Sequence, residues 1–179
     1  MREELPRERV REEDLAICRA IVDSDAFKNA DTVLLYFPIG REIDVLPVFT
    51  RAAEKGKTVA FPRCETRDGE KYMTFRCVKS LDELENGVYN IPCPRNDGEA
   101  VTPTKKTLCV VPALVYDAYG YRIGYGGGYY DRFLEGYVGV TLGVVRDGFL
   151  FPRALPRELT DKKCDFLADR EGVRETENE

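Results

Sequence analysis

The chain has 179 residues, enough for one domain with an ordinary buried core. It is 43% hydrophobic and 33% charged with a net charge of −5, which argues against the basic face of a nucleic-acid binder. It contains no histidine, which excludes Ser-His-Asp and Cys-His chemistry, imidazole-ligated metals and an imidazole proton shuttle.

Residues 1–14, MREELPRERVREED, are crowded with charge, and Pro6 blocks a regular helix through their start. From Asp14, apolar residues recur at Leu15, Cys18, Ile21 and Val22, the spacing of an amphipathic helix. Thr32–Phe37 is a continuous β-rich apolar run that reads as a strand buried on both faces. Pro38–Asp44 is a loop. A helix from about Val45 to Glu54 follows, with Leu46, Phe49 and Ala53 on one side, and Gly56 stops it. Lys57–Pro62 is the next buried strand. Strand, helix and strand within ~30 residues predict a parallel βαβ unit with a right-handed crossover.

Lys71–Val78 alternates Tyr72, Thr74 and Arg76 against Met73, Phe75 and Cys77, a half-buried strand near an edge. Ser80 opens a capping-box pattern for a short helix ending near Gly87. Residues 91–106 are proline-rich with few apolar positions and read as a long loop. Thr107–Asp117 is strand-like with Pro112 interrupting it, Val138–Val145 is another buried strand, and Cys164–Asp169 is a last one.

This alternation predicts a three-layer α/β sandwich with a mostly parallel sheet, in one domain over 1–179, with 1–12 and 170–179 as charged terminal segments. Ligands in such sheets bind beyond the carboxyl ends of the strands. The loops that matter are therefore Pro38–Asp44, Pro112–Tyr130 and the segment after Val145. The six cysteines form no C-x-x-C pair and read as reduced core thiols. No apolar run approaches membrane-span length and no charged-then-apolar leader opens the chain, so a soluble, cytoplasmic protein is expected.

Between the last part of Thr107–Asp117 and a short apolar-faced helix lie Gly124, Gly126, Gly127 and Gly128. Such a run lets successive amides turn toward one point, and with a helix N-terminus it makes an anion site for phosphate. It equally suits a flexible strand-to-helix turn. It is neither a Walker A loop nor G-x-G-x-x-G, because Tyr129 takes the third glycine's place. Asp131 reads either as a carboxylate favoured by the helix dipole or as a Mg²⁺ ligand beside phosphates.

The segment VPALVYDAYGYRIGYGGGYYDRFL resembles the signature of the 5-formyltetrahydrofolate cyclo-ligase family, with its Gly-x-Arg-[Leu/Ile]-Gly followed by Gly-Gly-Gly-Tyr-Tyr-Asp-Arg. TVLLYFPIGREIDVLPV, AAEKGKTVAFPR and LPRELTDKKCDFLADREG resemble further family segments, so the likeness runs from about Leu5 to Gly172. The resemblance implies a Rossmann-like fold of the NagB/RpiA/CoA-transferase kind. It implies ATP- and Mg²⁺-dependent cyclisation of 5-formyltetrahydrofolate to 5,10-methenyltetrahydrofolate, with release of ADP and phosphate. Reduced folate and nucleotide are the implied partners. Neither nucleic acid nor membrane is expected, and the expected state is a monomer or weak homodimer.

Carried over by position, Arg122, Gly124, Tyr125, Gly126, Gly127, Gly128, Tyr129 and Tyr130 are expected to hold ATP. Tyr129 and Arg122 are expected to be catalytic. Tyr36, Phe37, Glu42, Tyr125 and Tyr129 are expected to border the folate. Asp131 is expected to bind Mg²⁺, with Asp161 as the second carboxylate, although the histidine that often precedes it is Thr160 here. The family also opens with a basic helix reaching the nucleotide. Leu5-Pro6 matches the end of that helix, so its cations are missing unless Arg2, Arg7 or Arg9 substitutes. A diverged, for example thiamine-related, paralogue and a non-catalytic nucleotide or folate module are the alternatives.

Overall fold

The computed structural model describes residues 7–178. In chain order the elements are α1 (Arg7–Asp23), α2 (Asp25–Asn29), β1 (Thr32–Leu34), α3 (Leu46–Glu54), β2 (Thr58–Arg67), β3 (Glu70–Cys77), β4 (Leu84–Asn86) and β5 (Pro92–Pro94). They continue with β6 (Thr107–Val111), β7 (Val115–Asp117), β8 (Arg122–Ile123), α4 (Tyr129–Leu134), β9 (Val140–Val144), β10 (Leu150–Phe151), β11 (Phe166–Asp169) and β12 (Gly172–Glu175).

Seven strands form the central sheet in the order β12-β11-β9-β6-β1-β2-β3. β11, β9, β6, β1 and β2 run parallel, and β12 and β3 close the two edges antiparallel. The β1–α3–β2 unit is the parallel βαβ expected from the spacing. β6 reads Thr-Leu-Cys-Val-Val and is buried throughout because both its faces are covered. Leu108 and Val110 pack with Ile17, Ile21, Phe27 and Phe49 of α1, α2 and α3. Cys109 and Val111 pack on the opposite face with Tyr116 and Leu134 of β7 and α4. These are the three layers.

β7, β8 and β10 form a small separate sheet over that second face. Tyr116 anchors it. Its ring lies where a Cβ on Gly143 would come within 2.5 Å, so only a glycine in β9 lets it pack, and its hydroxyl donates to the Val111 carbonyl at 2.9 Å.

Several boundaries differ from expectation. α1 begins at Arg7 rather than Asp14, since the preceding Arg and Glu residues are good helix formers and its Glu13 and Asp14 are buried against partners. The buried stripe of α1 is Ile17, Cys18 and Ile21, with Leu15 exposed. In α3 the buried side is Val48, Phe49 and Ala52. The capping box makes only a 3₁₀ turn at Leu81–Glu83, with Ser80 accepting from the Asp82 amide. The expected 91–106 loop contributes β5, paired to β4. The expected charged tail contributes β12, which pairs along β11 from Phe166↔Glu175 to Asp169↔Gly172. Arg2, Leu5 and Pro6 lie outside the described residues.

Candidate active site

β1 ends at Leu34, and the chain runs through Tyr36 and Phe37 into the 38–45 loop. Tyr36 is buried, and its hydroxyl donates to the Ile43 carbonyl at 2.7 Å, while Phe37 packs partly on the core. Glu42 folds back so that its Oε2 accepts the Ile39 amide at 2.8 Å. Burial raises the Glu42 carboxyl above the ordinary range, against the opposing pull of that amide.

The glycine segment faces this loop. Among the described residues, the amides of Gly124 through Gly128 donate to no protein acceptor. Gly126 has φ +77° and Gly128, the N-cap of α4, has φ +64°. These left-handed values are natural for glycine and strained for other residues. The run ahead of the short helix carries few side chains of its own, with the Tyr129 ring and the Arg132 guanidinium packed against Gly127 and Gly128. The Gly127 carbonyl accepts from Arg132 Nη2 at 2.6 Å, and Arg132 Nε is anchored to the Lys71 carbonyl at 2.7 Å. A trans peptide points its N–H opposite its C=O, so holding this carbonyl aims the Gly128 amide the other way.

Tyr125 is 63% exposed, and its phenol is raised by partial burial and by the Glu42 carboxylate. The Tyr130 hydroxyl is buried and has no hydrogen-bond partner among the described residues. Burial first, then Cys109 and Glu42, push its phenol well above the ordinary value. An orphaned buried hydroxyl costs stability unless a ligand completes it. The Glu42 carboxylate raises the phenols of Tyr36, Tyr125 and Tyr130 alike, so two loops far apart in sequence lie within electrostatic reach of each other.

Arg122 lies beneath the glycine loop. Its Nη1 donates to the Lys162 carbonyl at 2.5 Å and its Nη2 to Asp131 Oδ1 at 2.7 Å. The Lys162 amide reaches the same Oδ1 at 3.2 Å. The side chains are 5% and 30% exposed respectively, so the arginine is enclosed and the carboxylate keeps one open side. Asp161 sits next to Lys162, and its Oδ2 accepts the Glu158 amide at 2.8 Å. Among the described residues no three His, Cys, Asp or Glu groups converge as a metal cage. Magnesium bound to nucleotide uses one or two carboxylates with phosphates and water, so this sparse donor set fits it.

Tyr129 stands half-buried between Arg132, 5.6 Å from its ring, and Lys71 at 5.9 Å. Tyr89, absent from the sequence expectations, is 75% exposed. Tyr89 and Asn90 both have positive φ, at 59° and 56°. Only Asn90, which tolerates that conformation, hints at it in the sequence. Arg7 and Arg9 are exposed on α1. A broad concavity of about 1280 Å³ lies elsewhere, lined by Asp31, Thr107, Val140 and Phe166 at the amino ends of the parallel strands, the wrong end for this fold's ligands.

Fold and loop geometry define an α/β protein whose candidate site is built from loops around the glycine run. The sequence profile of the 5-formyltetrahydrofolate cyclo-ligase family matches residues 1–168, and the chain belongs to that family. A probable 5-formyltetrahydrofolate cyclo-ligase of Schizosaccharomyces pombe is 26% identical over 180 residues, covering 90% of this chain and 85% of that relative. The 5-formyltetrahydrofolate cyclo-ligase of Escherichia coli strain K12 is 29% identical over 107 residues, and the match spans 59% of this chain and 58% of that relative. The NMR structure of Aquifex aeolicus 5,10-methenyltetrahydrofolate synthetase superposes with a TM-score of 0.82 at 31% identity, over 98% of this chain and 87% of that one.

Proposed function

We propose that this protein closes 5-formyltetrahydrofolate to 5,10-methenyltetrahydrofolate at the expense of ATP, releasing ADP and phosphate. The single observation that carries the reading is the row of amides from Gly124 to Gly128 that, among the described residues, donate to no protein acceptor. The formyl oxygen takes the γ-phosphoryl group, N10 of the folate attacks the activated carbon and loses its proton, and phosphate departs. The substrate supplies its own nucleophile, so the protein's task is positioning and charge neutralisation. No imidazole is needed.

In this reading the loop amides receive the phosphates, and Glu42 accepts from the donor edge of the pterin. Tyr125 and Tyr129 flank the folate, and the orphaned Tyr130 hydroxyl finds its partner on a bound substrate. Arg122 acts through Asp131, holding that carboxylate in place. Mg²⁺, when bound, neutralises phosphate charge, and Asp131 and Asp161 are the groups that would hold it. Activity in the cytoplasm and a monomer or weak homodimer are part of the same proposal.

One observation favours a weaker nucleotide site. The buried face of α1, among the described residues, carries Glu13 and Asp14, paired with Arg146, and no basic residue. Purified protein mixed with MgATP and 5-formyltetrahydrofolate should develop the methenyl chromophore, and omission of either ATP or Mg²⁺ should abolish it. Saturable binding without chromophore would make this a non-catalytic module. No binding of either ligand would make it a paralogue with another heterocycle as substrate.

A further inference from the structure

We infer that Arg146 is a positioning residue for the Glu42 carboxylate, and that α1 acts on the substrate through it. Residues 42, 43 and 44 are each tied by side chains from elsewhere in the fold. The Glu42 carbonyl accepts from Arg146 Nη2 at 3.2 Å, and the Ile43 carbonyl accepts from Tyr36. The Asp44 amide donates to Asp14 Oδ2 at 3.1 Å, and the Asp44 carbonyl accepts the Cys18 thiol at 3.2 Å.

Arg146 itself is locked. It lies two residues past the end of β9, its side chain is 10% exposed, and its Nη1 pairs with Asp14 Oδ1. The same nitrogen stands 3.8 Å from Glu13 Oε2 and donates to the Val10 carbonyl at 3.4 Å. The neighbouring Asp147 amide donates to Glu13 Oε1 at 2.8 Å. One guanidinium therefore joins α1, the segment after β9 and the loop after β1.

Burying two carboxylates around one guanidinium is a poor way to gain stability, since apolar residues of the same volume often do as well or better. What the cluster does secure is geometry. With the Glu42 peptide gripped on one side and Oε2 committed to the Ile39 amide, Oε1 is the carboxylate oxygen with no protein donor among the described residues. A lysine cannot replace this arginine, because one ammonium cannot span Asp14 and the Glu42 carbonyl as the planar fork does.

The inference rests on the reading of Glu42 as a substrate-binding carboxylate, and the test separates the two. Calorimetry would give dissociation constants for 5-formyltetrahydrofolate and for ADP in Arg146→Lys, Asp14→Asn, Glu42→Gln and the Arg146→Lys/Glu42→Gln double variant. Thermal melting would confirm that each is folded. Asp14→Asn keeps the side chain's shape and carries the test alone if Arg146→Lys does not fold. The expected result is folate binding weakened about tenfold in all three single variants, the scale of one charged hydrogen bond, with ADP binding unchanged. The double variant should be no worse than Glu42→Gln, because the arginine acts only through that carboxylate. Folded variants with wild-type folate affinity, equal losses for both ligands, or full additivity in the double variant would overturn the positioning role. Wild-type folate affinity in Glu42→Gln would instead remove the reading of Glu42 beneath it.

Discussion

Replacing Asp131 with asparagine separates the structural from the chemical role of this carboxylate. Asparagine keeps an Oδ1 acceptor for Arg122 and the Lys162 amide, so the change removes charge and little else. Breaking a fully buried pair costs roughly 3–5 kcal/mol. Here Arg122 is 5% and Asp131 30% exposed. That exposure and the surviving acceptor lower the expected cost to about 1–2 kcal/mol. For a chain of this size the melting temperature should fall by roughly 2–8 °C. Against a total stability of roughly 5–15 kcal/mol, the variant stays folded at 25 °C. Unfolding therefore cannot explain a large loss of activity. If Asp131 also holds Mg²⁺, kcat/KM should drop about 10²-fold, or ~2.7 kcal/mol of transition-state stabilisation. The Mg²⁺ concentration for half-maximal rate should rise with it. The assay is methenyl absorbance against time over a Mg²⁺ series, beside a melting curve. A variant that melts lower but keeps its rate within threefold, with unchanged Mg²⁺ dependence, would leave Asp131 only the task of holding Arg122.

Gly126→Ala and Gly56→Ala form a matched pair, with φ of +77° and +69° and no atom within 4 Å of an added Cβ in either. Both should lose about 1 kcal/mol of stability from backbone strain, but only Gly126→Ala should weaken ADP in calorimetry, and equal ADP affinities would contradict the anion-site reading. Burial pushes the Cys18 thiol up to about 12 and Cys164 up to about 11, so neither should react with iodoacetamide in the native protein at pH 8; mass spectrometry finding either one promptly alkylated would contradict that burial. Burial works against ionised Asp169, but Arg174 and the amides of Glu171 and Gly172 outweigh it and hold its carboxyl below the ordinary value. Its stabilisation is present above the unfolded value near 3.9 and is lost as pH falls through the folded one, so Asp169→Asn should lower the melting temperature at pH 7 and not in strong acid. A melting difference that persists at the lowest pH would point to a cause other than ionisation.

The buried runs at Thr32, Thr58, Thr107 and Val140 announce strands because covering both faces of a parallel sheet demands unbroken apolar residues. The first α/β crossover follows from their spacing with α3. The edge elements were less visible. β4, β5, β10 and β12 are two to four residues long, too short to show a period, and exist only because a neighbour offers a ladder. α1 extended to Arg7 for a related reason: Glu13 and Asp14 look like a solvated face until Arg146, more than 130 residues away, is set against them.

The site divides the same way. The bare glycine segment and its Tyr-Tyr-Asp-Arg continuation were readable because an absence of side chains is itself written in sequence, whereas the glutamate in the loop after β1 stood out only through the family resemblance. Which carboxylate meets which cation was not written there. Arg122 could have faced solvent or phosphate; packing turned it onto Asp131 and the Lys162 carbonyl. Tyr130 could have found a protein partner; packing left its hydroxyl without one among the described residues. Periodicity and backbone permissiveness are local properties that each stretch of chain carries alone, whereas pairing, burial and an unsatisfied hydroxyl belong to groups brought together from distant positions, and only the folded chain decides those.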